Sequence, residues 1–336
     1  MELNYQQITA IALGAVHTEQ KPEGLFLYRF TPEEMRLYEN RSLYTKLYVP
    51  AGIRLEFETD ATGLEMTVTA TLPRTTRSYF RVDILKDGKM LGGIQNYPEQ
   101  VENGTYPATE FPLGSYSGSF ALGEGMKKIT VQLPWSLACA ISRLALPGAT
   151  ILNPLKREKK ALIYGDSITQ GYDALSPSNA YSVRLCDYWG AEGINKAIGG
   201  ECYCPDLAAI PCGFQPDYIL GAYGTNDWHQ LTPEVFEDRC LRFWSNICAN
   251  YPGVKKYAIT PIWFQPNRDG NYGPFETFPE IEKTIRRFTS QFPDITLIYG
   301  WDLVPHDLTL FGDARLHPND EGFDHYFNNL IRAIPL

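Results

Sequence analysis

The hydrophobic pattern of this chain changes period once, near residue 150, and no single sheet or helix bundle can satisfy both halves. Before the change, from 47 to 146, apolar and polar residues alternate in short runs at 52–58, 64–70, 79–85 and 127–133. A period of two sends one set of side chains into a core and the other towards solvent. Thr62-Gly63 and Asp87-Gly88 supply turns between such strands. This half is expected to form an antiparallel β-sandwich. The leader up to about Thr45 is less regular, and within it Thr31-Pro32-Glu33-Glu34 reads as the capped start of a short helix.

After the change, short apolar runs at 160–164, 218–220, 256–260 and 295–299 alternate with helix-compatible stretches at 181–189, 233–249 and 278–290. Strands buried on both faces, each followed by a covering helix, produce this rhythm. The expected organisation is an all-β sandwich domain over 1–150 and an α/β domain over 159–336. A length of 336 residues suits two such domains.

Thirty Lys+Arg against 39 Asp+Glu leave a net charge of −9. That balance lacks the basic footprint of a chain held on nucleic-acid phosphates or an anionic membrane, so neither is an expected partner. No run approaches the ~18 apolar residues of a membrane span, and the first residues carry no secretory leader pattern, so a cytoplasmic location is expected. The seven cysteines are odd in number and scattered, which reads as reduced thiols. Cys202 and Cys204 are too close for a CxxC redox pair and read as packing residues near an active-site rim. The five histidines form no metal-binding pattern, and neither cofactor nor metal is expected.

The chemistry concentrates in Gly165-Asp166-Ser167-Ile168-Thr169-Gln170-Gly171, directly after an apolar strand. Glycines there permit a close turn that can present a serine at the strand's carboxyl end. Further along stand Asn195-Lys-Ala-Ile-Gly199-Gly200, Gly224-Thr225-Asn226-Asp227 and, near the end, Asp313-Ala-Arg-Leu-His317-Pro318-Asn319. In this order the four blocks resemble the SGNH, or GDSL-type, hydrolase superfamily over the C-terminal 180 or so residues. The resemblance implies a three-layer α/β/α domain with a mainly parallel sheet. It also implies Ser167 as nucleophile, His317 as general base, and an oxyanion hole made by the Ser167 and Gly200 backbone N–H groups with the Asn226 amide. The chemistry agrees, since a serine hydroxyl is a weak nucleophile until an imidazole takes its proton.

The family pattern places the third, acidic member three positions before the histidine, where this chain has Ala314; Asp313 stands four positions before it. Asp313 is the expected orienting group, with a backbone carbonyl, Asp302 or Asp307 as alternatives. Asp166 reads as a helix-start hydrogen-bond acceptor rather than a proton carrier. Tyr172, Tyr203, Trp228, His229 and Trp263 are candidate substrate-pocket residues, and Phe264 and Tyr272 sit in the same loops. Such rings can stack on sugar faces.

The preceding β region resembles the jelly-roll-like modules joined to some carbohydrate esterases of the superfamily. The expected function is a serine esterase acting through an acyl-enzyme on short acyl esters, acetyl on a carbohydrate above all. The alternatives are a lipase- or thioesterase-type acyl hydrolase and a carbohydrate-binding or structural protein with a weak hydrolase site. A small-molecule or carbohydrate ester is the expected ligand, and homo-oligomerisation is left open.

Overall fold

The change of period falls where the chain passes from antiparallel to parallel pairing in the computed structural model, which describes residues 1–98, 108–265 and 278–334. In chain order the first strands are β1 (Ala12–Leu13), β2 (His17–Lys21), β3 (Gly24–Tyr28), β4 (Arg54–Thr59), β5 (Gly63–Arg74) and β6 (Arg81–Lys86). They are followed by β7 (Lys89–Gln95), β8 (Gly114–Ala121), β9 (Lys127–Gln132), β10 (Leu137–Ala145) and β11 (Leu152–Pro154). One antiparallel sheet runs β1-β4-β9-β6-β7 with β11 added on β4, and the other runs β2-β3-β10-β5-β8. Leu64, Met66 and Val68 of β5 meet Phe57, Ile84 and Val131 of the facing sheet between the two layers. The alternation along β5 is the one its sequence shows.

The leader is more ordered than its sequence pattern predicts, because β3 is covered on both sides. Leu25 and Leu27 enter the sandwich core, while Phe26 and Tyr28 form a second cluster against which Met35 and Tyr48 pack. Burial on both faces replaces alternation with the unbroken apolar run Leu25-Phe26-Leu27-Tyr28. The predicted helix follows as Pro32–Arg36, with Thr31 and Glu34 closing a reciprocal capping box.

The remaining strands are β12 (Lys159–Gly165), β13 (Ala191–Asn195), β14 (Tyr218–Ala222), β15 (Lys255–Ile259) and β16 (Ile295–Ile298), all parallel in the order β13-β12-β14-β15-β16. Successive β12 residues go to opposite faces. Leu162 and Tyr164 pack with Phe236, Phe243, Trp244 and Ile281 on one side. Ala161 and Ile163 pack with Tyr181, Leu185, Phe323 and Leu330 on the other. Helices Tyr181–Trp189, Pro233–Asn250, Phe278–Thr289 and Asp320–Ala333 supply those covers, which makes three layers. The chain leaves β12 for β13 on one side and returns to β14 on the other. The carboxyl end of β12 is therefore the switch point where open α/β sheets hold their ligands.

The sandwich is fastened to this sheet by buried polar groups. Arg29, with no exposed surface, donates to the carbonyls of Val49, Lys46, Asn195 and Ala197. Lys196 and Glu34 form a buried ion pair of 2.5 Å. Trp135 donates from its indole nitrogen to the Ala174 carbonyl at 2.8 Å. Unmaking any of these would strand a buried donor, acceptor or charge, and together they join the sandwich to the segments beside the β12 exit. Among the described residues no helix is long and apolar enough to cross a membrane.

Candidate active site

β12 ends at Gly165, where a Cβ would lie 2.8 Å from the Ala222 carbonyl oxygen and closer still to the Thr169 side chain, so only glycine fits the strand exit. Asp166 follows as the cap of a one-turn helix, Ser167–Gln170, and accepts the Ile168 N–H at 3.0 Å, the role its sequence context predicts. The helix closes at Gly171 with φ +108°. This geometry sets Ser167 at the carboxyl end of the sheet with 7% of its surface exposed.

His317 arrives from a loop pinched shut by the Phe311–Pro318 bridge and by the Gly312 N–H on the His317 carbonyl at 2.8 Å. Asp313 organises the loop from within. Its Oδ1 accepts the backbone N–H groups of Arg315, Leu316 and His317 at 3.0, 2.8 and 3.1 Å. Its Oδ2 lies 2.6 Å from His317 Nδ1. On the other side of the ring, Nε2 is 2.8 Å from Ser167 Oγ. Ala314, which occupies the usual acid position, adopts a left-handed φ of +53°, and that turn returns the displaced Asp313 carboxylate to the imidazole. Burial pushes the Asp313 carboxyl up, but the bond and charge of His317 and the backbone N–H groups outweigh it and hold the group well below the usual carboxylate range. The alternatives lie elsewhere: Asp307 caps Thr309, and Asp302 is 3.5 Å from His306.

The turn carrying Gly199 and Gly200 is tied to the serine helix through Gln170, whose Oε1 accepts the Gly199 N–H at 2.7 Å. Lys46 of the N-terminal region donates to the Gly199 carbonyl at 2.6 Å. Gly200 itself has φ +86°, a conformation that favours glycine. Asn226, in helix Thr225–Gln230, donates one amide N–H to the Glu201 carbonyl at 3.1 Å, and its Nδ2 carries a second. Asp227 accepts from the backbone of Tyr203 and Gly224, at 3.0 and 3.1 Å, and so fixes the neighbouring turns.

The aromatic candidates separate. Tyr172 stacks on the His317 ring with centroids 5.2 Å apart, and Trp135 of the sandwich lies 4.9 Å behind it. Tyr203 and Trp228 are corrections to the sequence reading: both are fully buried in the core beneath the β12–β14 face, and Phe264 joins them there. Their rings fill the space between sheet and helices, which rewards a large apolar surface irrespective of any ligand. Trp263 is half-buried and stacks on His306 behind the His317 loop, also touching Phe311. The His229 side chain and Tyr272 lie outside the described residues. Cys202 and Cys204 are buried, as packing residues, and all seven cysteines are free thiols. A cavity of about 600 Å³ at the domain junction is lined by Glu34, Lys160, Glu192, Lys196 and Cys212. Its lining runs along the edge strand β13, from Lys160 and Glu192 near the amino ends of β12 and β13 to Lys196 just past the carboxyl end of β13, and Ser167 is not part of it.

Sequence reasoning misses Asp173, two residues past the glycine-rich turn. It is fully buried with φ +67°, and its Oδ2 lies 3.8 Å from His317 Nδ1. It also misses the residues that grip Asp173 from the sandwich: Arg77 with two bonds of 2.8 and 3.0 Å, and the Tyr79 hydroxyl at 2.7 Å. The only available signal is an acidic residue close behind the serine motif, and nothing marks Arg77 in its Thr75-Thr76-Arg77 context.

Burial raises the Asp166 carboxyl from 3.8 to about 6, against the opposing pull of the Ile168 N–H and the His317 charge. An acid raised in the folded state contributes stability that is complete below 3.8 and lost as the pH climbs through 6. Asp166→Asn keeps a good cap acceptor and removes that titration. The variant is expected to be more stable than the parent by up to about 3 kcal/mol at pH 7, with the gain vanishing near pH 4. Urea unfolding at the two pH values measures it, and an equal loss of stability at both would refute the assignment.

Residues 163–325 match the GDSL-like Lipase/Acylhydrolase family. No curated protein matches the sequence. Among solved structures, the chain is similar to the salicylyl-acyltransferase SsfX3 from a tetracycline biosynthetic pathway, at 18% identity over 96% of this chain and 93% of that one, with a TM-score of 0.75. A putative GDSL-like lipase from Bacteroides ovatus superposes with the same score at 18% identity, over 99% and 96%. An acetyl xylan esterase from Butyrivibrio proteoclasticus superposes at 0.61 with 11% identity, over 99% and 96%. These likenesses span both parts of the chain and establish a shared two-part fold. The C-terminal half of this chain is thus a GDSL/SGNH hydrolase domain, fused behind an N-terminal β-sandwich.

Proposed function

We propose that the protein is a serine esterase that hydrolyses short-chain acyl esters, acetyl esters of carbohydrates above all, through an acyl-enzyme on Ser167. The observation that carries this reading is the His317 ring bridging Ser167 Oγ at 2.8 Å and Asp313 Oδ2 at 2.6 Å. With the ring proton on Nδ1 and donated to Asp313, Nε2 accepts the serine proton as Oγ attacks the ester carbonyl. The oxygen of the tetrahedral intermediate becomes an anion, and the backbone N–H groups of Ser167 and Gly200 with the second Asn226 Nδ2–H are its donors. One such donor is typically worth ~10²–10³ in kcat. His317 then protonates the departing alkoxide, activates water for attack on the acyl-enzyme, and returns the proton to Ser167 as the acid leaves.

The small acyl group is supported by the low exposure of Ser167 and by the Tyr172 and Trp135 rings stacked at the site. The likeness to an acetyl xylan esterase favours a carbohydrate alcohol, and the likeness to an acyltransferase makes water against an alcohol acceptor a question worth measuring. The test is a panel of acetyl, butyryl and octanoyl aryl esters followed by acetylated oligosaccharides. The expected result is a kcat/KM that falls at least about tenfold from acetyl to octanoyl, since each badly placed methylene costs on the order of 1 kcal/mol, with acetate released from the sugars. Rates rising with chain length would instead support the lipase-type reading. Sugar binding without turnover of any ester would support the binding protein with a weak site.

A further inference from the structure

The two carboxylates beside His317 pose an electrostatic problem. Asp313 and Asp173 each place an oxygen near Nδ1, and the three groups converge within 4.8 Å of one another. Two carboxylates this close repel, and the arrangement calls for a cation beside them. The balancing cation comes from the other domain. Arg77 grips Asp173 with Nε and Nη2 and lies 3.8 Å from Asp313 through Nη2. Its guanidinium also stands 5.6 Å over the Tyr172 ring, the ring that stacks on His317. Building on the esterase reading, we propose that Arg77, supplied by the sandwich, is a positioning residue of the active site: it holds the Asp173 carboxylate beside the Asp313–His317 pair and sets a positive charge against both carboxylates.

The role needs an arginine's geometry. A planar fork meets Asp173 with two parallel bonds and still presents an edge towards Asp313, whereas an ammonium is a point charge. Burial by itself would make the Arg77 cation easier to discharge, but the ion pairs with Asp173 and Asp313 outweigh it and keep the group charged. The sandwich thereby acts on the chemistry, and its Tyr79 completes the hold on Asp173. Among the described residues, the charged or titratable groups on the segments about His317 include Asp313 and Arg315 on its own loop, Asp173 and Tyr172 from the segment after the serine helix, Asp166 at the strand exit, Lys46 on the Gly199 carbonyl, and Arg77 and Tyr79 from the N-terminal sandwich. Of these cations Arg77 is the one that pairs with Asp173 and lies against Asp313, so its removal leaves the two carboxylates to bind a proton on the imidazole more tightly.

The experiment compares the full-length chain with Arg77→Ala and Arg77→Lys on an aryl acetate from pH 5 to 9, and titrates the His317 ring by NMR in each. For Arg77→Ala the expected result is a kcat lower by about 10–100-fold with little change in KM. The acidic limb of its profile moves to higher pH by about one unit. Arg77→Lys falls between the two, and millimolar guanidinium restores part of the Arg77→Ala rate. If Arg77→Ala does not fold, the displaced limb in Arg77→Lys carries the test. A limb and ring titration unchanged in both variants, or a rate loss that guanidinium leaves untouched with no displaced limb, overturns the proposal. The NMR titration needs no turnover, so failure of the esterase reading and failure of this one are separable.

Discussion

Ser167→Ala is expected to leave a folded protein with kcat on aryl acetates reduced by about 10⁴-fold or more, the scale seen when a hydrolase loses its nucleophile. The fold has little reason to notice the change. The serine hydroxyl pairs with His317 Nε2, while the helix it opens is capped by Asp166 and closed by Gly171, neither of which is altered. Alanine is also the best helix former. The loss therefore falls on chemistry, because without Oγ no acyl-enzyme forms. What remains is the slow attack of water assisted by the oxyanion donors and the histidine. An alkyl phosphonate fluoride makes the assignment independent of any substrate preference. Wild type gains one adduct mass on the peptide carrying Ser167, and the variant gains none. Equal turnover by the two proteins would remove Ser167 from the mechanism and the proposed function with it.

How much of this was legible depended on how local each feature is. β5 declares itself because its alternation is a property of one strand with one buried face, and helix Tyr181–Trp189 is bounded by Gly190 in a left-handed conformation. β3 escaped because two covered faces erase alternation. The serine turn was legible because the glycines and cap that shape it lie within seven residues. Tyr203 and Trp228 misled because an aromatic residue near a motif looks the same whether it lines a site or fills the core beneath it. Arg77 and Asp173 were beyond reach for another reason: 96 residues and a domain boundary separate them, and nothing near either residue encodes their pairing. The identity of the acid is an intermediate case. The displacement from Ala314 to Asp313 is visible in the sequence, but the φ of +53° that makes the displaced position serviceable is a property of the folded loop.

Asp313→Asn should separate the two duties of that residue. Its Oδ1 holds three backbone N–H groups, and its Oδ2 faces Nδ1 of His317. Asparagine keeps an acceptor for the first duty and puts an amide N–H₂ where the second needs a negative oxygen. The loop is therefore expected to stay folded, with a melting temperature within a few degrees of the parent. The imidazole, however, meets a donor and turns to the tautomer protonated on Nε2, which cannot accept the Ser167 proton. The expected loss is about 10³–10⁴ in kcat, the size that follows when a triad carboxylate becomes an amide. Asp313→Ala also empties the Oδ1 position and adds a stability loss of roughly 1–3 kcal/mol for the abandoned backbone donors. Because the folded carboxyl is held below its ordinary value of 3.8, it contributes stability above that pH and loses it on further acidification. It is charged throughout the range in which an esterase is assayed, and the acidic limb of wild-type activity should not report on it. A near-wild-type rate for Asp313→Asn would leave Ser167 and His317 as a dyad oriented by another group. A large loss with an unchanged melting temperature would establish that the displaced acid performs the work of the one that Ala314 replaces.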